Sequence, residues 1–190
     1  MIDASTDDEE LNVLAVRWAH QLYVDHVDNV FAYAARRVGH DLAADITADV
    51  FRIAIEQPER YQERRGSQLG WLYGIATNLL RRHWRTESRR LHAISRHANR
   101  EVAPIDPLVV VDDRLIAADD TALLMNAVVA LVPIDRDLLI LATWQQASRQ
   151  DIAEALSIPV GTVRSRLHRI RGELRAHMRA ARPDRKEGRP

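Results

Sequence analysis

The sequence predicts an all-α protein of two small helical domains joined by an acidic linker, and three observations lead there. Apolar residues recur at helical spacing in several separate stretches. Strand signals are nearly absent: no Val/Ile/Thr alternation is bounded by turn dipeptides, and seven glycines and seven prolines are few for many tight turns. Composition shifts near residue 101, where Pro104, Pro107 and a run of acidic side chains interrupt the helical pattern.

The first domain is expected over residues 11–100. A helix is predicted around Val13–Tyr23. Phe31, Ala34, Ala35 and Val38 then follow the i, i+3, i+4, i+7 rule, with Gly39 as a C-terminal stop. Leu42, Ile46, Val50, Ile53 and Ala54 form a second stripe, stopped by Pro58. Trp71, Leu72, Ile75, Ala76, Leu79 and Leu80 form a third, which runs on into arginines. These helices can close a small bundle. Residues 101–119 read as an acidic linker, although Leu108-Val109-Val110-Val111 is apolar for a free tether and would pack on a domain or a partner. The second domain is expected over 120–180, with helices at Leu123–Leu131, Leu138–Trp144, Arg149–Leu156 and Thr162–Arg179, and a break at Pro133. Residues 181–190 read as a disordered tail.

Bulk composition narrows the function. A chain of 190 residues with 46% hydrophobic and 28% charged residues is globular in type. Without cysteine, disulfide frameworks, thiolate metal sites and cysteine catalysis are excluded. The acidic amino terminus is unlike a secretory signal, and no apolar run reaches the roughly 20 residues of a membrane span, so a cytoplasmic protein is expected.

The formal net charge is zero, yet the charges are segregated. Residues 81–100 carry seven arginines against Glu87, and residues 164–182 carry seven against Glu173, with six acids against Arg114 in 101–120 between them. Two basic patches, each ending an apolar-periodic segment, point to two nucleic-acid contacts. Lys186 is the only lysine, so the basic contacts are arginine contacts and can be bidentate.

Ser148 through Leu167 has the pattern of a helix-turn-helix. Ser148 and Asp151 have capping-box spacing, Ala153 is small at the helix crossing, and Ser157-Ile158-Pro159 makes a short turn. Thr162 is placed to cap the second helix, and Val163, Leu167 and Ile170 form its buried stripe. Arg164, Ser165, His168, Arg169 and Arg171 remain outward, the side chains a major-groove helix needs. Ser157 occupies the turn position where glycine is usual, because that residue often turns left-handed, at a cost on the order of 1 kcal/mol.

The stretch Ile158-Pro159-Val160-Gly161-Thr162-Val163-Arg164-Ser165-Arg166-Leu167-His168-Arg169-Ile170-Arg171 resembles region 4 of extracytoplasmic-function (ECF) sigma factors, sigma-70 family. Leu131-Val132-Pro133 before Asp135-Arg136-Asp137 resembles the turn that opens that domain. Ala44-Asp45-Ile46-Thr47-Ala48-Asp49-Val50-Phe51 resembles the acidic helix of sigma region 2 that grips the polymerase clamp, with Asp45, Asp49 and Arg52 sharing one face. Tyr61 through Arg82, with Gly66, Trp71-Leu72-Tyr73 and Ile75-Ala76-Thr77-Asn78, resembles the part of region 2 that captures the non-template strand of the −10 element. The resemblance covers roughly 20–95 and 120–178 and departs at Gln145-Gln146-Ala147, where the family usually has an acidic residue and glycine.

That resemblance implies a non-enzymatic RNA polymerase subunit without cofactor or metal, working in transcription initiation. Region 4 would read the −35 element through Thr162, Arg164, Ser165, Arg166, His168, Arg169 and Arg171. Region 2 would capture the −10 element through Tyr73, Asn78, Arg81, Arg82 and Arg85, with Tyr73 as the aromatic contact and Trp71 in the core. Asp45, Asp49 and Arg52 would dock core polymerase. The implied partners are the clamp of the beta-prime subunit, the flap of the beta subunit and promoter DNA, with an anti-sigma factor as a further candidate. The alternative is a helix-turn-helix transcriptional regulator with a helical sensor or dimerisation domain. A metal-dependent hydrolase fits poorly, because His20/His26 and His92/His97 miss the i, i+4 spacing of a two-histidine ligand set.

Overall fold

The computed structural model describes the backbone of residues 4–98, 119–143 and 145–180, and the side chains within 12–90, 123–143 and 145–180. The linker, its Leu108–Val111 run and the tail lie outside the described residues. Seven α-helices and one 3-10 turn make up the described secondary structure: α1 (Ala4–Val38), α2 (His40–Glu56), a turn at Pro58–Arg60, α3 (Gln68–Ala98), α4 (Asp119–Val129), α5 (Pro133–Thr143), α6 (Arg149–Leu156) and α7 (Val160–Ala180).

Two expected helices fuse into one. Between Tyr23 and Phe31 there is no glycine or proline to end a helix, and Gln21 Nε2 donates to Asp25 Oδ1 across one turn, so α1 runs unbroken for 35 residues. Gly39 then stops it at φ 80°, a conformation open to glycine, and α2 leaves at once in a new direction. The three helices bury Leu22, Val30, Tyr33, Ala43, Val50, Phe51, Leu72 and Leu80 against one another.

Pro133 opens a helix where the sequence suggested only a break. Proline suits the first helical position because its missing N–H has no intrahelical partner there. The tight α4–α5 turn before it is closed by Arg136, whose Nη2 donates to the carbonyl oxygens of Leu131, at 2.9 Å, and Val129. Val163, Leu167 and Ile170 of α7 are buried in one apolar core with Ile152, Ala153 and Leu156 of α6 and Leu138 and Leu141 of α5.

The apolar cores of the two helical units are continuous. Helix α6 lies along α3, and the closeness of that approach depends on small residues. A Cβ at Gly70 would stand 2.8 Å from Asp151 Cα, one at Gly66 would stand 3.0 Å from Glu154 Cβ, and one at Gly74 would stand 3.4 Å from Ala155 Cα.

Leu72→Ala, at a fully buried position of α3, should cost about 2–5 kcal/mol, read as a lower midpoint in chemical denaturation. Tyr33 and Tyr73 are both buried, and burial raises their phenol pKa values above the ordinary 10.0, Tyr73 to about 12. An acid with a raised folded pKa stabilises the fold fully below its unfolded pKa and loses that contribution as pH rises through the folded one. Stability should therefore decline between about pH 10 and 12, and Tyr73→Phe should flatten that decline in denaturation series across this range.

Candidate nucleic-acid interfaces

Helices α6 and α7 form a helix-turn-helix. Ser148 caps α6, its Oγ accepting from Asp151 N–H at 3.1 Å and donating to Asp151 Oδ2 at 2.6 Å. Ser157 stands in the left-handed conformation at φ 53°, ψ 45°, and its N–H bonds to the Ala153 and Glu154 carbonyls. Helix α7 begins at Val160, two residues earlier than expected, with the Thr162 N–H bonded to Pro159 O at 2.9 Å. Thr162 therefore sits inside the first turn and is not the cap.

The outward residues of α7 divide into two sets. Arg164, Ser165, His168 and Arg171 are exposed and line one shallow cleft with Arg149 and Gly161, the geometry required of a recognition helix. Ser165 Oγ donates back to Thr162 O at 3.1 Å. Arg166 and Arg169 are committed elsewhere. Both pair with Asp135, a carboxylate of α5 only 1% exposed: Arg166 Nη1 at 2.7 Å, and Arg169 through Nη2. Arg169 also donates to Glu173 Oε1 at 2.8 Å. These carboxylates raise the Arg169 pKa above its ordinary value. Arg169 is outward and exposed, as expected, and also ties α7 to α5.

On α3, Asn78, Arg82 and Arg85 are exposed and recur at i, i+4 and i+7, so they share one face. Tyr73 is not on it. Tyr73 is 0% exposed, its ring centroid 5.2 Å from that of Tyr33 with the two planes tilted by 55°, and its hydroxyl donates to Gln145 Oε1 at 3.1 Å. An enclosed ring cannot stack on a base, so the aromatic contact expected of Tyr73 is withdrawn for this conformation. Trp71 is also buried, against Tyr61. Arg81 is half-buried and pairs with Asp137 at 2.8 Å.

Asp137 joins the two units. It is 1% exposed, and it accepts from Arg81 of α3 and from Arg37 of α1, the latter at 2.6 Å and itself 2% exposed. Arg37 further donates to the Tyr33 hydroxyl, which shares a hydrogen bond with Thr77. Burial works against the Arg37 charge, but Tyr33 and Asp137 outweigh it and raise its pKa. Asp151 makes a second junction, its Oδ1 accepting from Ser67 N at 3.0 Å and Ser67 Oγ at 2.6 Å. Burial raises the Asp151 pKa, and the bonds from Ser148 and Ser67 more than reverse that. Arg65 pairs with Glu154 at 2.9 Å. A cleft of about 420 Å³ remains between α3 and α6, lined on one side by Arg60, Trp71 and Asn78 and on the other by Glu154, Ala155 and Ser157.

On α2, Asp45 is exposed, and Arg52 bridges Asp49 at 3.0 Å and Glu56 at 3.1 Å. Both carboxylates raise the Arg52 pKa.

Residues 15–90 match the model of Sigma-70 region 2, and residues 121–174 match that of Sigma-70, region 4. The two segments fall on α1–α3 and α4–α7 and together make up more than half of the chain. The chain belongs to the sigma-70 family. Sigma-family relatives include the ECF RNA polymerase sigma factor SigE of Mycolicibacterium smegmatis, 33% identical over 83% of this chain and 60% of that protein. The RNA polymerase sigma-E factor of Streptomyces avermitilis is 39% identical over 38% of this chain and 40% of its own length. The chain thus spans less than two thirds of the length of each of these two relatives. The ECF RNA polymerase sigma factor SigW of Bacillus subtilis is 28% identical over 80% of this chain and 84% of that one. A similar sigma fold occurs in RpoE, solved with the anti-sigma factor NepR from Bartonella quintana, with TM-score 0.57, 22% identity, and coverage of 86% of this chain and 98% of that one.

Sequence reasoning named Arg81 and Asp151, but for other roles, and did not single them out as residues that join regions 2 and 4. Gly66, Gly70 and Gly74 at intervals of four were the available signal for a close helix approach. Asp137 stood in the quoted Asp135-Arg136-Asp137, but nothing in the sequence names Arg37, a hundred residues away, as its partner.

Asp135→Ala should leave two guanidinium groups without their shared acceptor and lower the stability of region 4 by about 1–3 kcal/mol. Arg169→Ala should also lower it, by less. Thermal unfolding followed by circular dichroism checks both, and an unchanged midpoint for Asp135→Ala would remove the clamp.

Proposed function

We propose that the protein is an ECF-type sigma factor that directs core RNA polymerase to promoters and has no catalytic activity of its own. The observation that carries this reading is the pair of exposed basic faces, one on α7 of region 4 and one on α3 of region 2, within a chain that has both sigma regions in order.

Arg164, Ser165, His168 and Arg171 read the −35 element as duplex, since they are the α7 side chains left open to a major groove. Arg166 and Arg169 join only if Asp135 releases them. Thr162, in the first turn, approaches the phosphate backbone. Asn78 reads a −10 base with its amide, and Arg82 and Arg85 neutralise the strand one and two turns on. Arg81 takes part once Asp137 lets it go.

Asp45, Asp49 and Arg52 dock the clamp of the beta-prime subunit. The apolar cleft between Leu124 of α4 and Leu174 and Met178 of α7, rimmed by Arg175 and Arg179, suits an apolar segment such as the beta flap. An anti-sigma factor is a further partner, in keeping with the NepR-bound sigma factor of similar fold. No helix is long and apolar enough among the described residues to cross a membrane, which agrees with work in the cytoplasm.

Added to core polymerase, the protein should start run-off transcription at specific sites. Tight operator binding without any effect on core would favour a regulator instead. Asp45→Arg with Asp49→Arg should abolish co-purification with core while leaving the helical spectrum intact. Arg164→Ala should weaken −35 use by about 1–3 kcal/mol and relax its base preference, and Asn78→Ala should impair opened-strand capture by a similar amount even on a pre-melted template. A loss of thermal stability with unaltered −10 preference would reassign Asn78 to bracing the helix.

A further inference from the structure

We infer that Asp135 limits how strongly the chain grips duplex DNA: it holds Arg166 and Arg169 on the α5 side of α7 and so withholds two guanidinium groups from the phosphate backbone. The role in DNA binding rests on the reading of α7 given above; the ion pairs do not. The basic side chains of α7 follow two spacings. Arg164, His168 and Arg171 recur at i, i+4 and i+7 and share the open face, whereas Arg166, Arg169 and Glu173 recur at i, i+3 and i+7 and share another. Arg164 and Arg171 make no ion pair among the described residues.

The second set is electrically closed. Each oxygen of the Asp135 carboxylate accepts from one guanidinium, Oδ1 from Arg166 at 2.7 Å and Oδ2 from Arg169. Glu173 Oε1 accepts from the other terminal nitrogen of Arg169 at 2.8 Å. Two cations meet two carboxylates, so the group adds no net charge to the helix. Both terminal nitrogens of Arg169 are engaged, and the fork that would grip a phosphate with two parallel bonds is occupied.

Exposure alone would let these arginines reach DNA, since the Arg166 side chain is 31% and the Arg169 side chain 49% exposed. Burial of their partner decides otherwise. Asp135 is 1% exposed, and stripping both cations from it would leave a bare carboxylate out of water. That costs more than a solvated surface pair with a phosphate returns. Asp135 is thus a positioning residue that acts through the two arginines. Phosphate contacts strengthen binding to every sequence alike, so Asp135 suppresses the sequence-independent part of binding. The choice among sites is left to the exposed Arg164, Ser165, His168 and Arg171.

The test is the binding of the full chain to a fluorescent mixed-sequence duplex over a salt series, with the sequences enriched from a randomised duplex pool as a second readout. Asp135→Asn keeps the size of the side chain and removes its charge. It should bind the duplex about tenfold more tightly at ~0.1 M salt and steepen the logarithmic salt slope by about 1–2, roughly 0.9 for each phosphate gained. The preferred sequence should stay the same; a damaged fold would lose it instead. Arg166→Ala with Arg169→Ala should leave the wild-type slope as it is and cancel the gain in the Asp135→Asn chain. Glu173→Gln, at an exposed position, frees one nitrogen of Arg169 without touching the core and should steepen the slope by less. An Asp135→Asn chain that binds no more tightly than the wild type, or that loses the preferred sequence, would overturn the withholding role. Should that variant fail to fold, an unsteepened slope in Glu173→Gln overturns it equally. Arg164→Ala checks the reading of α7 separately and should make the slope shallower by about 1. If Arg164→Ala changes nothing, α7 is not the reading helix; if it does while Asp135→Asn is inert, α7 still reads duplex and Asp135 withholds nothing.

Discussion

A carboxylate removed from water must be matched by cations or give up its charge, and the arrangement of the two regions follows from how Asp137 meets that demand. It lies at the start of α5, yet its partners are Arg37 of α1 and Arg81 of α3. Neither region can satisfy it alone by these contacts. Three helices from two domains therefore converge on one side chain, and Tyr33, Thr77 and Tyr73 fill the space around it with hydrogen bonds and rings. Such a network specifies geometry more than it adds stability, because the desolvation of each ion offsets much of what pairing returns.

Region 4 repeats the device within itself. Asp135, two residues before Asp137, points the other way along α5 and gathers Arg166 and Arg169 from α7. The Asp-Arg-Asp triplet thus works in three directions: Asp135 into the helix-turn-helix, Arg136 onto the carbonyl oxygens at the end of α4, and Asp137 into region 2. One turn of helix sets the internal shape of region 4 and its position on its neighbour.

Much of this was legible before any coordinates. The apolar stripes placed α2, α3, α6 and α7, and the Ser148–Asp151 spacing anticipated a cap that forms. The left-handed turn at Ser157 was expected from position and occurs despite the side chain. What periodicity could not see was continuity and partnership. The stretch from Val24 to Val30 is polar enough to look like a gap between helices, but it contains no residue that ends one, so α1 passes through it. An outward-pointing position is also not the same as an available one. Arg169 does lie off the buried stripe of α7, and only the packing of α5 beside it brings Asp135 within reach. Tyr73 failed for a related reason: it lies off the apolar stripe of its own helix but on the side that meets α1 and the region 4 turn.

The glycines of α3 set local stability against the global arrangement. Glycine inside a helix is roughly 1 kcal/mol worse than alanine. A screen of isolated region 2 for heat resistance would therefore be drawn to alanine at Gly70, since the atoms nearest to the added methyl group are those of Asp151 of region 4. In the full chain the same change pushes α6 away. A sequence improved for the folding of one domain would lose the shape of the whole, and the weakness of that helix is a cost the fragment never needed to bear.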